Sequence, residues 1–149
     1  MKINTKYFGE IEYEEEEILT FPQGIFAFEE ERRFLLLPFA GSDCNLLSLQ
    51  SLDEPALAFV VLDPFSLNPN YTPVLQPDEL KMLGVADSHD LYYYVMCVVK
   101  DRAGDSTVNL RCPVVINGDT CTGVQVILED ERYQMRHLLS EFGKEGAPC

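Results

Sequence analysis

Arg111, Cys112 and Pro113 stand side by side in the otherwise mostly apolar run TVNLRCPVVIN, residues 107–117. A thiol beside a cation is one route to a nucleophile, because the thiolate is the reactive form and positive charge favours it. The thiol also needs a base within hydrogen-bond reach. The two histidines, His89 and His137, are the candidates for that role, and a spatial Cys–His pair cannot be read from one sequence. Strand geometry favours a plainer role. Adjacent strand residues face opposite sides, so Cys112 in the core leaves Arg111 outside, and buried cysteine is a common packing residue. Arg111 is then expected in a local carboxylate pair. Pro113 is expected at a bulge or an edge, since it cannot donate a ladder hydrogen bond.

The other thiols are Cys44, Cys97, Cys121 and Cys149. None of the five forms a C-x-x-C pair, and neither histidine lies near such a pair, so a tetrahedral zinc site is not expected. There is no G-x-S-x-G elbow and no phosphate-binding P-loop. Paired carboxylates carry no weight in so acidic a chain. No catalytic residue, metal or cofactor is expected.

Asp and Glu number 25 against 11 Lys and Arg, a net charge of −14 over 149 residues. That balance disfavours direct binding to nucleic acid, which needs cations for its phosphates, and adsorption to anionic membranes. It favours a basic partner. No apolar run approaches the ~20 residues of a membrane helix, and MKINTKYFGE has no apolar core of a signal peptide. A cytoplasmic protein is expected, and the odd cysteine count agrees with a reducing compartment.

The chemistry-bearing residues must be held by short strands. Ile11 and Tyr13 alternate with Glu10, Glu12 and Glu14, the period of a half-buried strand; residues 14–17 then cross a solvated rim before ILTF re-enters the core. Pro22 and Gly24 mark a turn. RFLLLPF, NLLSLQSL, ALAFVVLDPF and DLYYYVMCVVKD are β-prone runs separated by turn residues, GSDCN among them. PDELKMLG predicts one short helix near residues 77–84, ended by Gly84. Asn117-Gly118 predicts a hairpin whose return strand is TGVQVILED. YQMRHLLSEF fits strand and helix periods alike, with an extended start favoured.

The reading is a mostly β, single-domain antiparallel β-barrel-like fold (pseudo-barrel or sandwich) over residues 1–142, with residues 143–149 a flexible tail. Parallel sheets are disfavoured because they need crossover helices. The aromatic stretch DLYYYVMCVV leaves a small apolar-ligand-binding β-barrel as the alternative function. The long Pro-rich segment after Asp63 carries Phe65, Leu67 and Tyr71, which either anchor a partner or fold back to cap the core.

FPQGIFAFEEERRF, LLSLQSLDEPALAFVVLDPF, TVNLRCPVVIN and GVQVIL, in this order, resemble the flagellar assembly factor FliW family over nearly the whole chain. Ala27 stands where the family is expected to carry glycine, and Cys112 where alanine is common. The resemblance implies a small cytoplasmic β-barrel-like protein without enzymatic activity. It implies chaperone-like binding of flagellin before export. When flagellin is depleted, it implies binding and antagonism of the RNA-binding regulator CsrA, which relieves repression of flagellin translation. On that basis Glu14, Glu15, Glu16 and Glu17 are expected to repel RNA from the regulator, and Phe65, Leu67 and Tyr71 to anchor flagellin. A monomer is expected.

Overall fold

The computed structural model describes residues 1–39, 46–86, 91–102 and 105–142. The GSDCN loop with Cys44, His89, Cys149 and the expected tail 143–149 lie outside the described residues.

Alternation decides the architecture. The chain forms β1 (Lys2–Thr5), β2 (Gly9–Glu12), β3 (Leu19–Thr20), β4 (Arg33–Pro38), β5 (Leu46–Ser51) and β6 (Ala58–Leu62). Helices α1 (Pro64–Leu67) and α2 (Pro77–Leu83) come next. The chain continues with β7 (Leu91–Val98), β8 (Thr107–Val108), β9 (Val114–Asn117), β10 (Thr122–Gln125) and β11 (His137–Leu138). Strand order runs β7-β6-β5-β4-β3-β10-β9, and β9 pairs back onto β7, so seven strands close a barrel. β8 and β11 extend it from the far end of β7, and β1–β2 is a separate hairpin. The mostly β, barrel-like expectation holds. One pair departs from antiparallel order: β10 and β3 run parallel, with Thr122 opposite Thr20. The long connection that a parallel pair needs is supplied here by the intervening β4 to β9 and not by a single crossover helix.

Cross-strand partners share a face, which sorts the apolar residues into two cores. Phe34, Leu49, Phe59, Val61, Met96, Val114 and Ile116 point inward, with Leu19, Phe21 and Ile25 closing the set. Phe21 and Phe34 meet edge to face at 5.2 Å and are fully buried. These side chains fill the interior, as expected for a barrel of few strands. The opposite residues of the same strands, Leu62, Tyr93, Val95, Cys97, Val115 and Val124, face outward into a second core. It is roofed by Leu67, Tyr71, Leu75 and Leu83 and by Tyr133 and Leu139.

Two helices form where one was expected. Asp63 and Pro64 end β6 but also start α1: the Asp63 carboxylate accepts from the Phe65 amide at 2.8 Å, and Pro64 sits in the first turn. α2 ends where expected, with Gly84 left-handed at φ 75°. Asn117 opens the expected hairpin turn, its Oδ1 accepting from the Asp119 amide at 3.0 Å, and it has a second role. It ends β9, and its buried Nδ2 donates to the Leu83 carbonyl at 2.7 Å, so it ties the end of α2 to the barrel wall. The hairpin loop is residues 118–121, and the positive φ falls on Cys121, at 53°.

Gly24 takes φ 70° with the Glu29 backbone so close that a Cβ would lie 2.5 Å from it. Four residues on, Phe28 donates to the Ile25 carbonyl at 2.7 Å, closing a turn in which Ala27 is left-handed at φ 71°. This is the position where the family resemblance called for glycine. A left-handed L-residue costs about 1–2 kcal/mol, partly offset by alanine's smaller entropy loss on folding. Ala27→Gly should therefore stabilise the fold by about 1 kcal/mol, measured as a higher urea midpoint at unchanged m-value. An unchanged or lower midpoint contradicts the strain.

Candidate functional site

The sequence LTF-x(n)-TCTG brings an acidic turn onto the barrel rim. Leu19 faces the inner core and Thr20 donates its amide to the Cys121 carbonyl at 2.8 Å, which closes the barrel and ties residues 16–20 to the hairpin loop. The Cys121 thiol lies 3.4 Å from the Glu16 carbonyl oxygen, a second tie. Just before, Glu15–Glu17 forms a 3₁₀ turn, and the Glu14 amide donates to the Glu17 carboxylate at 2.8 Å. The expected solvated rim is there: Glu14, Glu15, Glu16 and Glu17 are all exposed. None of the ion pairs among the described residues involves any of the four.

Beside this turn the barrel opens. A groove of about 340 Å³ is lined by Leu19, Leu36, Tyr92, Tyr94 and Ile116, all on inner-facing strand positions, and by Glu16, Glu17, Gly118 and Cys121. Tyr92 is 59% exposed, so its ring is the groove's accessible wall. Burial, then the nearby Asp63 carboxylate, pushes the Tyr94 phenol up, so it stays a neutral hydroxyl at physiological pH. No single stretch of sequence signals this groove, because its walls come from four separate segments, residues 16–19, 36, 92–94 and 116–121. Below this mouth the inward side chains Phe21, Phe34, Leu49 and Val61 are buried together as the inner core.

Phe65, Leu67 and Tyr71 are brought together, but not as a surface. Leu67 and Tyr71 are 8% and 3% exposed and belong to the outer core. The Tyr71 hydroxyl donates to the Leu110 carbonyl at 2.6 Å, and its ring packs on Tyr133 at 4.7 Å. The Tyr133 hydroxyl in turn accepts from the Thr72 amide. Burial, and then Tyr133 and Tyr93, push the Tyr71 phenol far above its ordinary value. The loop therefore caps the core, and Leu67 and Tyr71 are withdrawn from the partner role expected of them. The physical reason is that the outward face of β7 needs a cover. Phe65 alone remains accessible, at 38%, its ring edge to face with Tyr71 and Tyr93.

The nucleophile candidate also resolves. Cys112 is 1% exposed, and burial pushes its thiol up despite the Asn109 hydrogen bond and the Arg111 charge, which act the other way. Arg111 is not in a carboxylate pair among the described residues; its Nη1 donates to the Tyr133 carbonyl. Pro113 stands just before β9, its carbonyl accepting from Val126. His137 is held at both ring nitrogens. Its Nε2 accepts from the Gln134 amide at 2.8 Å, which leaves Nδ1 to donate to Glu141 at 2.9 Å. That hydrogen bond, against some desolvation, lowers the Glu141 carboxyl. Among the described residues, no group of three or more His, Cys, Asp or Glu is placed to hold a metal ion. No described helix is long and apolar enough to cross a membrane.

The FliW protein family model matches residues 2–139. Flagellar assembly factor FliW of Geobacillus kaustophilus (strain HTA426) is 43% identical over 139 residues, covering 93% of this chain and 95% of that one. The factor of the same name from Caldanaerobacter subterraneus subsp. tengcongensis is 38% identical over 141 residues, covering 95% and 94%. A crystal structure of the flagellar assembly factor FliW superposes with a TM-score of 0.86 at 40% identity, covering 93% of this chain and 96% of that one.

Burial raises the Cys97 thiol from an ordinary 9.0 to about 11. The folded state thus holds the neutral thiol more strongly than the unfolded one. Its contribution is complete below about pH 9 and is lost as pH rises through about 11. Urea unfolding at stepped alkaline pH should show a decline in stability that is shallower in Cys97→Ala than in the parent chain. Parallel declines would show that Cys97 is not so buried in solution.

Proposed function

The chain belongs to the FliW family of flagellar assembly factors, and on that premise we propose that it is a non-enzymatic binding protein of the cytoplasm, acting as a monomer without metal or cofactor. It binds flagellin before export. When flagellin is depleted it binds CsrA, the RNA-binding translational regulator, and relieves repression of flagellin translation. It makes no direct contact with nucleic acid or membrane.

The observation that carries this reading is the acidic turn. Four exposed carboxylates without a described cationic partner sit on a segment fixed by the barrel closure. A rigid anionic surface docked beside a basic RNA-binding face raises the local potential against the RNA backbone without occupying the RNA site. Screening limits this to roughly 8 Å at physiological salt, so the turn has to lie near the RNA path. For flagellin the accessible apolar contact is Phe65, with Tyr71 and Tyr93 packed edge to face against its ring and Leu67 buried in the same core.

Replacing Glu14, Glu15, Glu16 and Glu17 with Gln should weaken displacement of RNA from CsrA by about tenfold at low salt, with the deficit shrinking as salt rises. Antagonism unchanged at low and moderate salt removes the turn from the mechanism. Phe65→Ala should lower flagellin affinity about tenfold, measured by titration calorimetry, while its lost ring contacts with Tyr71 and Tyr93 cost about 1–2 kcal/mol of stability. Tyr71→Phe should instead cost about 1–3 kcal/mol of stability, because it leaves the Leu110 carbonyl unpaired. Full flagellin affinity in Phe65→Ala places that contact elsewhere.

A further inference from the structure

We propose that the groove at the barrel mouth is a docking slot for a cationic protein segment. One aliphatic side chain enters against Tyr92, Tyr94 and Leu19, while flanking Lys or Arg residues pair with Glu16 and Glu17. The inference rests on the acidic turn being a partner surface and specifies what that surface takes.

The floor is apolar because it is the inner face of the strands continued to the surface, and its volume of about 340 Å³ is at the small end of ligand pockets. That suits an anchor side chain better than a large ligand. Tyr92 supplies a rigid amphipathic wall of the kind enriched at binding hot spots. Gly118 lets that wall lie close to the hairpin loop: a Cβ there would stand 2.9 Å from Tyr92 Cε2. The rim is anionic and fixed. Like charges gathered in one turn repel each other, and none of the ion pairs among the described residues relieves Glu16 or Glu17. An incoming cation does. The same rim repels anionic ligands, and a second copy of a chain carrying a net −14 brings more negative charge. Charge and shape together select a basic segment with one aliphatic residue.

Cys121 makes the groove its own reporter, since it is part of the lining and half-exposed, whereas Cys97 and Cys112 are buried. The probes are three acetylated, amidated peptides: Lys-Lys-Leu-Lys-Lys, Lys-Lys-Ser-Lys-Lys and Glu-Glu-Leu-Glu-Glu. Binding is read by calorimetry at low salt. Occupancy is read by the rate of iodoacetamide alkylation at Cys121, resolved by peptide mapping. The leucine-lysine peptide should slow Cys121 alkylation at saturation and bind about tenfold tighter than the serine peptide. The acidic peptide should not bind. Tyr92→Ala, checked for an unchanged melting temperature, should remove the preference for leucine over serine. Glu16→Gln with Glu17→Gln should weaken both lysine peptides. Equal affinity for leucine and serine peptides, or Cys121 unprotected at saturation, overturns the slot. Gly118→Ala, which crowds the Tyr92 ring, is a second variant expected to reduce leucine binding if Tyr92→Ala melts early. The two readings fail separately. If the Gln variants abolish CsrA antagonism but no peptide protects Cys121, the turn acts without the slot. If the leucine peptide protects Cys121 while the Gln variants antagonise CsrA fully, the slot exists but the proposed role of the turn is wrong.

Discussion

The hydrogen bond from the Thr20 amide to the Cys121 carbonyl, in a parallel pairing only two residues long on the β3 side, is what the rest of the molecule depends on. Without it, β3 and β10 part and the seven strands become an open sheet. It also sets where the acidic turn can be, since the turn follows directly upstream of β3. The closure is possible because of a size match. Gly123 lies so close to Phe21 that a Cβ would sit 2.5 Å from the ring, so the absence of a side chain there lets the phenylalanine fill the seam. Burial of a full aromatic side chain contributes roughly 1.5–3 kcal/mol, which is considerable against the few hydrogen bonds of so short a pairing.

The elements whose signal is local were readable from the sequence. β4, β5, β6 and β7 are β-prone apolar runs bounded by turn residues, and α2 has proline at its start and Gly84 at its end. The split of the terminal stretch into a short strand and a 3₁₀ turn matches its mixed period. What escaped has a non-local cause. The parallel pair joins residues a hundred positions apart, and no turn chemistry announces it. Asp63-Pro64 carries both the end of a strand and the start of a helix, and only the first was read. Asn117 before glycine signals the turn that its Oδ1 indeed caps, but nothing local announces that its Nδ2 also holds α2. Ala27, noted only as a departure from the family, turned out to occupy a backbone conformation that glycine adopts without strain.

The candidate site divides in the same way. Exposure of residues 14–17 follows from their charge, because a run of carboxylates without partners has nowhere to go but water. The fate of Phe65, Leu67 and Tyr71 does not follow from their types, since a loop aromatic is equally suited to a surface anchor and to a core cap. The second core decides between them. β7 is apolar on both faces, and its outward residues Tyr93, Val95 and Cys97 need a roof. The groove was invisible for another reason: Tyr92 and Ile116 read as ordinary strand residues until the register placed them opposite one another at the open end.

Closure has a further consequence for so acidic a chain. A sheet with free edges risks adding strands from neighbouring molecules, and strong net charge is one protection against that. Docking a basic partner masks the charge and removes the protection at the moment of highest local concentration. Here the ladder itself supplies a second one. Among the described residues, the strands paired on one side only are β1, β2 and β11, of four, four and two residues, and the other free stretches are parts of strands, such as residues 35–38 of β4 beyond its two pairs with β3. A chain so closed can be electrically neutralised in a complex and still offer only short lengths of backbone for another strand to copy.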